Sequence, residues 1–184
     1  MEEFAEASDC LEKSLLIFRT LGKPDAWVRL QLGTTAIYEG RFRSAKKLLQ
    51  KSLDIFRQSG SKDGIALTLC EVAHLDRLQG EYETAESALT ETMDLVSQME
   101  SKRYAIAGLQ EAFQLANARA RHDCAARLLG KLEALRQEIG APLTPRRRTE
   151  FDRAIASSRE ALGEDTLAIL REEGRLASLD RLYP

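Results

Sequence analysis

Apolar residues recur along the chain with the spacing of a helix. Between 45 and 56, Ala45, Leu48, Leu49, Ser52, Leu53 and Phe56 fall at i, i+3, i+4, i+7, i+8 and i+11, the stripe of a helix that buries one face. Short breakers, "EGRF", "SGSKDG" and "QGEY", interrupt this pattern. The periodic stretches predict helices over 3–21, 25–39, 42–59, 62–79, 82–98, 101–119 and 122–139. Gly40 and Gly80 are expected to end one class of helix, and Gly22, Gly60 and Gly140 the other, in the left-handed conformation that glycine adopts without steric cost.

The pattern also repeats. Written at an offset of 40, Ala45, Ala85 and Ala125 coincide, as do Leu49, Leu89 and Leu129, then Ile55, Leu95 and Leu135. Leu69 coincides with Leu109 and Leu75 with Leu115, while "FAEASDCLEKSLLIFRTLG" matches "FRSAKKLLQKSLDIFRQSG" at an offset of 38. A period of this length predicts an all-α solenoid, a right-handed superhelix of antiparallel helix pairs. Residues 1–140 hold about three and a half units of roughly 40 residues. The alanines at the shared register let neighbouring helices approach closely.

Residues 141–184 form a C-terminal helical cap in this reading. Thr144 suits an N-cap and Pro145 the first helical position, where its missing N–H is not needed. That helix is expected to run to Leu162 and stop at Gly163, followed by a second over 164–173 and a short turn started by Ser178.

Charge narrows the choice of partner. Charged residues make up 30% of the 184, yet the net charge is −2, so no global attraction to nucleic acid or an anionic membrane exists. The run Arg146, Arg147, Arg148 sits in a first helical turn, where the helix dipole disfavours positive charge. Glu150 and Asp152 follow at once, and 121–184 holds 12 basic and 11 acidic residues, a net of +1. The run is expected to be a solvated turn or a dock for an acidic partner, with no direct nucleic-acid contact. No apolar run reaches membrane-span length, and three widely spaced cysteines, Cys10, Cys70 and Cys124, read as free thiols, which places the chain in the cytoplasm.

Candidate chemistry is sparse. The sequence contains neither G-x-x-x-x-G-K-[ST] nor G-x-G-x-x-G, and no nucleophile–base constellation. Cys70 and His74 share a helix face at i, i+4 but lack a complementary ligand pair for zinc. The expectation is a non-enzyme without cofactor or metal.

In a helix-pair solenoid the first helices line the concave face, where extended partners bind. The groove-facing positions are Leu30, Thr34 and Ile37, then Cys70, His74 and Arg77, then Gln110, Gln114 and Asn117. Each trio is spaced i, i+4, i+7 and makes one stripe. Thr34, Ile37, His74, Arg77, Gln110, Gln114 and Asn117 are the candidate groove for a protein or peptide, whose backbone the three amides suit because they both donate and accept. The plainer alternative is a solvated helix face. Trp27 and Tyr38 are either aromatic anchors or packing residues. Asp76, where Ala36 and Ala116 stand in the other units, must be paired or solvated.

The sequence of a small residue, a helix-ending glycine, an aromatic and an alanine resembles the tetratricopeptide repeat. Gly33, Gly40, Phe42 and Ala45 carry it in the first unit and Ala73, Gly80, Tyr82 and Ala85 in the second. The third departs, with Phe113, Ala120 and His122 at those places. Further motifs, "AARLLG", "EALR", "IGAPL", "ALGE" and "EGR", resemble the carboxy-terminal end of large bacterial regulators, which join a signal-transduction ATPase to such repeats, many with a LuxR-type DNA-binding domain. This resemblance implies a non-catalytic sensor or scaffold arm. The alternatives are a peptide receptor of the tetratricopeptide type, or a scaffold that self-assembles through the first helix. There Phe4, Ala7, Leu11, Leu15 and Phe18 form the apolar stripe of a second helix that no first helix precedes, so the chain is expected to be a fragment or a truncated member.

Overall fold

The computed structural model describes the backbone of residues 2–143 and 145–182, and the side chains of these except 2–5, 145, 146 and 180. The described residues fold into helices joined by short turns. They are α1 (Glu2–Thr20), α2 (Ala26–Tyr38), α3 (Phe42–Ser59), α4 (Lys62–Gln79), α5 (Tyr82–Met99), α6 (Lys102–Ala118), α7 (His122–Ile139), α8 (Pro145–Leu162), α9 (Glu164–Leu176) and α10 (Leu179–Leu182). The repeat helices agree with the predicted bounds to within a residue at either end. The Thr144 cap lies outside the described residues.

Glycine conformations follow the repeat. Gly40, Gly60, Gly80 and Gly140 all lie in the left-handed region, with φ of 71°, 69°, 79° and 63°. Two corresponding positions hold other residues in the same conformation: Glu100 after α5 at φ 50°, and Ala120 after α6 at φ 54°. A Cβ there crowds the backbone and costs roughly 1–2 kcal/mol. Ala120→Gly is therefore expected to stabilise the chain by about 1 kcal/mol, measured as a rise in the urea midpoint. An unchanged or lowered midpoint would contradict the assigned conformation.

Helices α2 and α3, α4 and α5, and α6 and α7 pack as pairs, and α1 stacks on α2 as the second helix of a preceding unit would. Helices α2, α4 and α6 neighbour one another along one side and form the concave face. Ala45, Ala85 and Ala125 are fully buried, as their shared register requires. Gly33 and Gly108 serve the same close packing, since a Cβ on either would strike Leu49 or Met93. Asp76 is buried, and burial raises its carboxyl above the usual range, while Thr84 and Lys46 oppose that rise.

The C-terminal segment departs from a simple stacked cap. Helix α9 packs against α7 more closely than side chains allow, and glycine on both helices makes this possible. A Cβ on Gly130 would run into the backbone carbonyl of Arg171, reaching 2.7 Å from its carbon. A Cβ on Gly174 would likewise strike the carbonyl of Arg127, 2.5 Å from its carbon. Gly174 therefore lies inside a helix, and α9 continues to Leu176, beyond the predicted 164–173. The connection α8 to α9 turns at Gly163, with φ 77°. Helix α8 packs on α6, α7 and α9, and its side chains reach α4 across the concave face.

Candidate functional site

The concave stripe predicted from the repeat is divided in two by α8. Its C-terminal half is covered. Arg77 Nη2 donates to Glu150 Oε1 of α8 at 2.7 Å. Ser158 Oγ of α8 donates to Asn117 Oδ1 at 2.8 Å. The Phe151 ring of α8 rests against Phe113, with centroids 4.6 Å apart. Phe113 replaces the small residue of the other units, and its bulk serves as a seat for α8.

Burial corrects the expectation of an exposed stripe. His74 is 4% exposed, Gln114 6% and Gln110 8%, and Ile37 belongs to the hydrophobic core. The reason is tertiary: Ile37 joins the core and His74 lies against Tyr38 of the preceding unit, while α8 covers Arg77 and Asn117. Thr34 alone of the first trio stays half-buried at the open end. Tyr38 meets the His74 ring edge to face at 5.7 Å, and Trp27 packs edge-on against Phe56 at 4.8 Å while keeping one side exposed. Both aromatics pack between helices.

Beneath α8 lies an ionic cluster that the stripe did not include. Arg147 of α8 pairs with Glu111 of α6 and, at 3.3 Å, with Glu71 of α4. Arg77 adds a second cation 3.7 Å from Glu111. His74 Nδ1 stands 3.7 Å from Glu71 Oε2, too far for a hydrogen bond but close enough to favour the carboxylate. Burial opposes the Glu71 charge, yet His74 and Arg147 outweigh it and hold the carboxyl below the usual range. Burial likewise opposes the charge on Arg147, and Glu111 and Glu71 more than offset it. The middle arginine of the triple run is thus neither a solvated turn nor a phosphate hook. Its acidic partners are in its own chain. Arg148 is exposed, and the side chain of Arg146 lies outside the described residues.

A signal for this cluster was present. Gln31, Glu71 and Glu111 coincide at the 40-residue offset, one position beyond Leu30, Cys70 and Gln110. Two carboxylates at one inward register require cations, because an uncompensated buried charge is costly. The arginine run was the available source.

The N-terminal half of the concave face remains open. A cleft of about 330 Å³ lies there, bounded by Thr34 of α2, Cys70 and Glu71 of α4, Arg103 and Gln110 of α6, and Arg136 of α7, with Arg147 at its edge. Thr34, Cys70 and Gln110 come from the predicted stripe. The Cys70 thiol is raised far above its usual range by burial, reinforced by Glu111 and Glu71, so it is a packing group and not a nucleophile. Among the described residues no group of three or more His, Cys, Asp or Glu is arranged to hold a metal, and no helix is long and apolar enough to cross a membrane.

The family model for the tetratricopeptide repeat matches residues 1–58 and, in a second register, residues 25–98. The two matches together span α1 to α5 and stop before the unit in which Phe113 and Ala120 depart from the pattern. No curated protein and no solved structure matches the chain.

Proposed function

Because the chain belongs to the tetratricopeptide repeat family, we propose that it is a non-catalytic recognition arm of a bacterial signalling or transcriptional regulator, working in the cytoplasm through the open half of its concave face. Repeats of this family mediate protein–protein interactions. The observation that carries the reading here is α8 itself: the concave face already holds a helix, through Arg77, Asn117, Glu71 and Glu111. A surface built to hold one helical segment by polar contacts has the chemistry to hold a second beside it. Gln31, Thr34 and Arg103 form the accessible rim for that partner or ligand.

The test is retention of a partner from the source cell's lysate by the wild-type chain and by Gln31→Lys/Thr34→Lys, followed by titration of the purified partner. The double variant is expected to lose binding at a stability cost of about 1 kcal/mol, because Gln31 is exposed but Thr34 is half-buried and hydrogen-bonded. Equal binding by both proteins would remove the open groove from consideration.

A second reading, self-assembly through the first helix, is favoured by one observation. Leu16, Ile17 and Leu21 stand 66%, 56% and 64% exposed along α1 and its end, an apolar surface without cover. The Phe4 side chain of that predicted stripe lies outside the described residues. Concentration-dependent dimers abolished by Leu16→Asp/Leu21→Asp would support this reading, and a monomer at all concentrations would end it.

A further inference from the structure

We infer that the open concave cleft binds a small organic carboxylate with an apolar tail, held between Arg103, Arg136 and the α8 helix. The proposal rests on the reading of this face as a recognition surface and names the class of ligand it takes.

The cleft holds more arginines than its own carboxylates pair with. Arg103, Arg136 and Arg147 reach the same cleft from α6, α7 and α8. The cleft carboxylates Glu71 and Glu111 are already matched by Arg147, with Arg77 as a further cation on Glu111. Arg103 has no hydrogen bond or ion pair among the described residues. Arg136 donates to a neutral acceptor, Gln110 Oε1, and lies over the Phe151 ring at 5.4 Å. Its Nε is buried without a hydrogen-bond partner among the described residues. Burial and the like charge of Arg147 disfavour the Arg136 charge, and Glu133, which favours it, is itself engaged by Arg171 at 2.6 Å. Two guanidinium groups therefore line one concavity without a carboxylate of their own. A planar carboxylate matches their fork of N–H donors.

The walls select the rest of the ligand. Leu30, Leu67, Ile106 and Pro142 give the cleft an apolar lining beside the arginines. A volume of about 330 Å³ lies at the lower end of the range for small-molecule sites. It has room for a short acyl or aryl tail. Because Arg147 belongs to α8 and Arg136 touches Phe151, a ligand here also braces α8 on the solenoid.

The test uses the full chain with butanoate, hexanoate and octanoate as probes, against hexanol, hexylamine and inorganic phosphate, all at one ionic strength because exposed charges are screened by salt. Calorimetric titration should show saturable one-to-one binding of hexanoate or octanoate, a raised melting temperature, and no such effect from hexanol or hexylamine. Arg103→Gln, which breaks no contact within the described structure, should weaken binding by roughly tenfold or more, and Arg136→Gln should do the same. Absence of saturable carboxylate binding overturns the proposal, as does binding indifferent to Arg103→Gln. Phosphate binding equal to octanoate overturns the assignment of an apolar tail. A wild-type chain that ignores carboxylates yet loses its protein partner in Gln31→Lys/Thr34→Lys sinks this proposal alone, whereas carboxylate binding without any such partner sinks only the protein reading.

Discussion

Gly130→Ala, and equally Gly174→Ala, will destabilise the chain by about 3 kcal/mol or more, at the upper end of what overpacking costs. Most overpacking is relieved by side chains that change rotamer. Neither site offers that escape, because each added methyl meets a backbone carbonyl of the facing helix. Relief requires α7 and α9 to separate, which opens the small core of Ala126, Leu167 and Leu170 between them. The two changes act on one interface, so the double variant should cost less than their sum. Urea denaturation followed by circular dichroism measures this, with Gly140→Ala as the comparison. Gly140 has open space around it but lies at φ 63°, so it should lose only about 1–2 kcal/mol. Costs at Gly130 and Gly174 no larger than at Gly140 would mean that the helices are not so close.

The second large effect is expected at Arg147. Among the described ion pairs, Arg147→Ala leaves Glu71 with His74 and Glu111 with Arg77, each at 3.7 Å. Removing one partner of a fully buried ion pair costs 3–5 kcal/mol. The Arg147 side chain is 21% exposed, and solvent screening reduces the expected loss to about 2–3 kcal/mol. Arg148→Ala, at an exposed neighbour, should stay within about 0.5 kcal/mol. The readout is hydrogen exchange in α8, which should accelerate in Arg147→Ala while α2 to α5 remain protected. Uniform exchange throughout the chain, or equal effects at Arg147 and Arg148, would refute the assigned cluster. Acid adds a check. The Glu71 carboxyl titrates below its ordinary 4.5, so its contribution is whole above that pH and is lost as the pH falls through the lower folded value. The stability gap between wild type and Arg147→Ala should therefore narrow below pH 4.5.

The glycine motifs show where sequence reading was strong and where it stopped. "IGAPL" and "ALGE" hold Gly140 and Gly163, whose positive φ explains them one residue at a time. "AARLLG" and "EGR" hold Gly130 and Gly174, which are explained only by each other's helix. The same division runs through the site. Thr34, Cys70 and Gln110 were found because repeat register places them on the concave face, and they do line its open cleft. His74, Gln114, Arg77 and Asn117 were assigned the same face for the same reason, but His74 and Gln114 are buried and α8 covers Arg77 and Asn117.

The chain's own order of residues determined its helices, the turns between them, the left-handed glycines and the stacking of pairs. Each depends on interactions within about one repeat, and the 40-residue self-similarity displays them directly. Only the tertiary structure decided what fills the groove. The contact between Arg147 and Glu71 joins residues 76 apart in sequence, and that between Arg77 and Glu150 joins residues 73 apart. Such pairs carry no periodicity, since α8 has no counterpart in the earlier units. A charged side chain in a first helical turn reads the same whether solvent or two buried carboxylates await it. The path of the chain after Gly140 made that choice, by turning α8 back across α6 and α4.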